Sequence, residues 1–192
     1  MHLYESLALA PTGFAMGMAL MLLSLYVLLC PEQFRKQLRA VHAKSSAGTV
    51  LLGIDFLWVA LLLLKADWNP LCMPLFEFES FRGILLILCP IIWFIMSSMI
   101  KEQIFARALG FFLLLMAIVP MSAAFMKDPA TRILIPLWWY PVLTVAMFWV
   151  GKPYLFRDWV NWLVQRPRLI TWIAAGNFIY GLGICTCAGL FW

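Results

Sequence analysis

Six long apolar runs alternate with shorter polar connections along this chain, near residues 10–30, 46–64, 83–100, 108–126, 133–151 and 169–191. A helix rises about 1.5 Å per residue, so a bilayer core of about 30 Å takes about 20 residues to cross. Each run is of that order. The pattern predicts an all-α fold: a polytopic membrane helical bundle with six transmembrane helices arranged as three hairpins. Pro90, Pro120, Pro136 and Pro141 fall inside the runs. Each removes a backbone donor and is expected to kink its helix, and neighbouring helices can satisfy the freed carbonyls.

Composition agrees with the pattern. Of 192 residues, 65% are hydrophobic and 12% charged, with a mean hydropathy of +0.93. Soluble domains carry roughly a quarter charged residues. So few charges cannot coat a water-soluble fold of this size, whereas a lipid-facing surface needs no polar coat. Residues 1–192 are therefore expected to form a single transmembrane domain.

The charges that are present sort by side. Counted by alternate connections, Lys and Arg number ten on one side and four on the other. The positive-inside rule makes the first, third and fifth connections cytoplasmic and places both termini outside. No Lys or Arg precedes the first run and four follow it, so it is expected to be a span and not a cleavable signal. The compact chain and short connections suggest a bacterial cytoplasmic (inner) membrane. The net charge of +5 thus reads as topology. Arg35, Lys36, Arg39, Lys44, Arg157, Arg166 and Arg168 are candidate lipid-headgroup contacts, at about 1 kcal/mol per basic residue near an anionic surface. Nucleic acid is not an expected partner, since it would require a concentrated basic face with water-exposed stacking aromatics. The ten Trp residues fit headgroup depth instead.

An internal echo accompanies this topology. An offset of 122 residues sets Pro31, Phe34 and Arg35 over Pro153, Phe156 and Arg157. Without a gap, it also sets Thr49 over Thr171 and the segment Asp55 to Trp58 over Asn177 to Tyr180. Phe34, Leu38 and Val41 fall on one helix face, as do Phe156, Val160 and Leu163, while Arg35, Lys36 and Arg39 lie mostly off it. Each segment reads as a short amphipathic interfacial helix opened by a proline suited to a first turn. Both units run outside to inside, along the interface and back out. They form a parallel internal repeat of spans 1–2 and 5–6, about 12–64 and 134–186, around a middle hairpin of about 83–126.

Asp55 stands out because it is a carboxylate within an apolar run, where burial of such a group costs about 2.5 to 3.5 kcal/mol on insertion scales. The repeat pairs it with Asn177 at equivalent depth. Trp58 and Tyr180 follow three residues later on the same helix faces as flanking aromatics. Asp55 and Asn177 are the candidate intramembrane polar pair, meeting near the pseudo-axis with the amide donating to the carboxylate. Three readings of Asp55 stand side by side: a proton, cation or small-solute pathway, interhelical glue, or a carboxylate reaching cytoplasmic water from a shifted span. Polar contacts between membrane helices average only about 0.6 kcal/mol, which sets register without implying transport.

Small residues crowd the first span at Gly13, Ala15, Gly17 and Ala19, and the last at Ala175, Gly176, Gly181, Gly183 and Gly189. Both spans are expected to pack closely against a helix of this chain or of a partner, and Gly13-x-x-x-Gly17 is a weak dimerisation signal. Trp138, Trp139 and Tyr140 open the fifth span as an outer anchoring belt would.

Signals for chemistry are few. Histidine occurs only at His2 and His42, outside the spans, which leaves no bis-histidine haem site within the bilayer. No zinc-protease motif, paired carboxylates on one span or phosphate loop is present. The expectation is no enzyme, no catalytic residue, no cofactor and no metal. Cys185 and Cys187 point in nearly opposite directions on a helix, and a disulfide from Cys72 to the outer end of the last span would need an oxidising exterior. Glu77 and Glu79 alternate with Phe76 and Phe78 as a wet rim over interfacial rings. The first function class is therefore a non-enzymatic subunit, scaffold or accessory factor, with the lipid bilayer and other membrane helices, its own or a partner's, as the contacts. The alternative is a small-solute, cation or proton-coupled transporter or channel using Asp55 and Asn177. A lipid-modifying enzyme comes third.

Overall fold

A computed structural model describes residues 8–43, 45–64, 76–99, 103–125 and 127–192. The chain runs through α1 (Leu9–Leu29), α2 (Pro31–Ala43), α3 (Ser45–Leu63), α4 (Arg82–Met99), α5 (Ile104–Ala124), α6 (Leu134–Gly151), α7 (Tyr154–Val164) and α8 (Pro167–Leu190), with 3-10 turns at Phe76–Phe81 and Ala130–Ile133. Six helices, all but α2 and α7, are long and apolar enough to cross a membrane. The chain is an all-α polytopic bundle, and the apolar runs locate its spans.

The fourth span shows the largest shift from its predicted start, beginning four residues earlier at Ile104. Arg107 reads as a connection in sequence. In the fold, buried Ile104, Ala106 and Ala108 surround it on the helix, and Ile104 and Ala108 pack with Leu52 of α3. Pro90, Pro120 and Pro141 lie inside continuous helices. Pro136 differs, because it falls in the first turn of α6, where the amide it lacks would have no intrahelical partner.

Small residues set the closest packing. α1 lies directly against α8: a Cβ on Gly17 would come within 2.8 Å of the Gly181 carbonyl oxygen, and one on Gly181 within 2.9 Å of the Gly17 carbonyl oxygen. A Cβ on Gly13 would overlap the Trp192 ring. The Gly13/Gly17 face is thus filled by the chain's own last helix and Trp192, and it serves internal packing. α5 is the second centre of packing. It presents Ala106, Ala108, Gly110 and Ala117 inward, and a Cβ on Gly110 would meet the Ala146 carbonyl oxygen of α6 at 2.9 Å.

This arrangement corrects the expected pairing of spans. Close packing joins α1 to α8, α3 to α4 and α5, and α5 to α6. It does not bind the first and last hairpins each into a self-contained unit. Both outer units keep the order span, short helix, span. Under the 122-residue offset, however, the counterpart of the α1–α8 contact would be α6 against α3, and α5 stands between those two. The reason is steric: α5 offers a small-residue face to both neighbours, which lets them approach it more closely than each other.

α2 and α7 lie at one end of the bundle, joined by a hydrogen bond from Arg35 Nη2 to the Val164 carbonyl oxygen at 3.0 Å. The start of α5 is at the same end, since Ala106 packs with Phe156, Val160 and Val164. α2, α7 and the start of α5 therefore share one end of the bundle. The apolar stripe of α7 is buried as Phe156, Val160 and Leu163 and rests on the bundle, where Phe156 meets Trp149 edge-on at 4.8 Å between ring centroids. Phe34 and Leu38 of α2 are half-buried. The Val41 side chain lies outside the described residues.

Candidate functional site

Asp55 sits on α3 with 2% of its surface exposed, and neither carboxyl oxygen has a hydrogen-bond partner among the described residues. Its position on the helix decides what it faces. Gly53 lies toward α4, where a Cβ would stand 3.5 Å from the indole nitrogen of Trp93. Asp55, two residues on and so about 200° around the helix, faces α5. The Trp93 N–H is itself buried and unpartnered. α3 thus separates an unused donor on one side from an unused carboxyl on the other.

The carboxyl borders a groove of about 300 Å³ between α3 and α5, lined otherwise by Phe56, Val59, Phe111, Leu114, Leu115 and Ile118. Every other lining side chain is apolar. Trp58, on the same face, meets Phe112 of α5 edge-on at 6.2 Å, so α5 covers both residues. An unpaired buried polar group is costly, and one in a membrane helix is a functional candidate because nothing in lipid compensates it.

Asn177 has a different setting. Its side-chain oxygen accepts from Trp138 Nε1 of α6 at 3.3 Å, and Tyr180, a turn later, donates its hydroxyl to the Leu134 carbonyl oxygen at 2.6 Å. These bonds hold α8 to α6. Asn177 also borders a cavity of about 450 Å³ enclosed by α1, α8 and Trp138 and roofed by α2 and α7.

The predicted pair is accordingly not formed. Asp55 and Asn177 line different cavities, and α5 on one side and Trp138 on the other occupy the positions in which each was expected to find its mate. The flanking aromatics divide likewise: Trp58 packs and Tyr180 bonds. The predicted aromatic belt is also revised, since Trp139 is buried in the core shared by α1, α5, α6 and α8 while Tyr140 is exposed.

Among the candidate headgroup contacts, Lys36, Arg39, Arg157, Arg166 and Arg168 are exposed. Arg35 is half-buried, pairing with Glu32 at 2.8 Å as well as bonding Val164. Arg166 stacks over Trp162 at 4.8 Å. Lys44 lies outside the described residues, as do Cys72, with its suggested disulfide, and the Glu77 side chain. Glu79 pairs with Arg82 at 2.6 Å, and Arg82 also donates to the Leu63 carbonyl oxygen at the end of α3. That latch was missed in sequence, although Glu79 and Arg82 stand at a spacing of three.

Among the described residues no three His, Cys, Asp or Glu side chains gather as a metal site. Compared with protein-family models, with curated proteins and with solved structures, the chain matches none, and the geometry of these two polar positions is the ground for any functional reading.

Proposed function

We propose that this membrane protein is a non-enzymatic subunit or accessory factor of a membrane assembly, docking a partner helix at the α3–α5 groove. One observation carries the reading: a buried carboxyl with both oxygens unpaired, bordering a groove whose other walls are apolar. A partner helix inserting Arg, Lys, Asn or Ser between α3 and α5 would supply the missing donor, and apolar side chains around it would fill the groove. Interhelical hydrogen bonds of this kind fix register between membrane helices at a modest energy. A transport route has less support, because a path through Asp55 and Asn177 would have to join two separate cavities, one with a single polar wall.

The test is extraction in a gentle detergent followed by native mass determination of the wild type and of Asp55→Leu. The expected result is a stoichiometric partner with the wild type that is absent from a monodisperse Asp55→Leu protein. A partner retained by both, or a wild-type chain that never carries one, overturns the docking role. Proton- or cation-dependent flux by the lone chain in liposomes, lost in Asp55→Asn, would establish the transport reading instead.

A further inference from the structure

The cavity beneath α2 and α7 differs from the Asp55 groove in carrying several neutral polar groups. Leu23, Val27, Leu163 and Ile173 give it largely apolar walls, and Ser24, Gln37 and Asn177 also line it. The oxygen of each amide already accepts one bond: Gln37 Oε1 takes the Tyr26 hydroxyl at 2.9 Å, and Asn177 Oδ1 takes the Trp138 indole. Both NH₂ groups, and the hydroxyl of buried Ser24, have no partner among the described residues. What the cavity offers an occupant is therefore two amide NH₂ donors and a hydroxyl that can donate or accept, set in largely apolar walls. Such a site selects a molecule with hydrocarbon and acceptor oxygens together, the usual composition of ligand pockets with a few placed polar groups.

Charge narrows the occupant further. A lipid acyl chain with its ester linkage combines the hydrocarbon and the acceptor oxygens that these walls suit. The roofing helices carry Arg35, Lys36, Arg39 and Arg157, and Arg166 and Arg168 stand at the entry to α8. Basic pockets between membrane helices at such a level favour anionic headgroups. We propose that this cavity is a binding site for one anionic glycerophospholipid. An acyl chain lies against Leu23 and Ile173, and the ester or phosphate oxygens accept from Ser24, Gln37 and Asn177. The inference is independent of partner docking at Asp55.

The test places the full chain in nanodiscs of equal phosphatidylglycerol and phosphatidylcholine, extracts it in mild detergent and counts retained lipid by native mass spectrometry. The wild type is expected to keep one phosphatidylglycerol per chain. Two variants probe the site without touching the buried core. Ile173→Trp, at a position 44% exposed, fills the cavity from its open side, and Gln37→Leu removes a donor from the exposed helix α2. Each is expected to lower retention about tenfold, the effect of one lost hydrogen bond of ordinary strength or its equivalent in contact. Equal retention of both lipids, or unchanged retention in both monodisperse variants, overturns the proposal.

Discussion

Asp55 and Asn177 occupy the same register of the 122-residue offset, yet their surroundings have little in common. Asn177 is bonded to Trp138 and opens on a cavity with polar groups. Asp55 is closed against α5 with both oxygens unpaired. The difference comes from what stands beside each helix. α8 lies directly on α1 through Gly17 and Gly181, whereas α3 meets α5, a helix outside the repeat-like units. Equal positions in two similar segments acquire different chemistry when a third element is inserted on one side only. The satisfied side has the character of structure, and the unsatisfied side keeps an unmet demand.

The largest effect is expected where the α1–α8 side is broken outright. Gly17→Leu would drive a side chain into the Cys185 sulfur and into backbone that cannot turn aside, the Gly181 carbonyl and the Cys185 amide. Overpacking costs about 1–3 kcal/mol where side chains can yield, so at least about 3 kcal/mol is expected here. For a chain of this size that lowers the unfolding midpoint by about 6–12 °C. Gly176→Leu on the same α8 meets nothing within 4 Å and should leave the midpoint unchanged. Thermal retention of the monodisperse peak in detergent measures both. Equal losses would mean that the close seam does not set the cost, since a Gly→Leu change by itself raises helix propensity.

On the other side the sign should reverse. Asp55→Leu removes an unpaired buried carboxyl and supplies methyl groups to an apolar groove. It is expected to stabilise the isolated chain by about 1–3 kcal/mol, within the cost assigned to such a group on insertion. Stabilisation together with loss of a partner is the signature of a residue kept for function at the expense of stability. The same thermal measurement decides it, and a destabilised Asp55→Leu protein would place the carboxyl among the chain's own structural contacts.

Much of this architecture was legible in the sequence for physical reasons. Spans follow from hydropathy because lipid imposes a length. The short helices follow from the spacing of Phe156, Val160 and Leu163, all of which are buried. The crowding of small residues in the first and last spans foretold a close seam but not its partner. Pairing was illegible because all six spans are apolar on every side, so hydropathy says nothing about which face meets which neighbour. Asp55 and Asn177 were identifiable as polar groups in apolar runs. Their separation was not, because it depends on the Ala and Gly face of α5, which reads in sequence only as composition.

The smallest expected effect tests whether Asn177 is as structural as its bond implies. Its contact with Trp138 joins α8 to α6 at 3.3 Å, a long bond between half-buried groups. A double-mutant cycle of Asn177→Leu and Trp138→Phe should give a coupling near the average of about 0.6 kcal/mol for bonds between membrane helices. That value is small beside the effect expected at Asp55, and its sign is opposite, since removing Asn177 discards a bond that is made and removing Asp55 discards one that is not. A coupling indistinguishable from zero would assign Asn177 to the cavity alone. The comparison would then sharpen into two polar positions that each wait on a molecule from outside the chain, a helix for Asp55 and a lipid for Asn177.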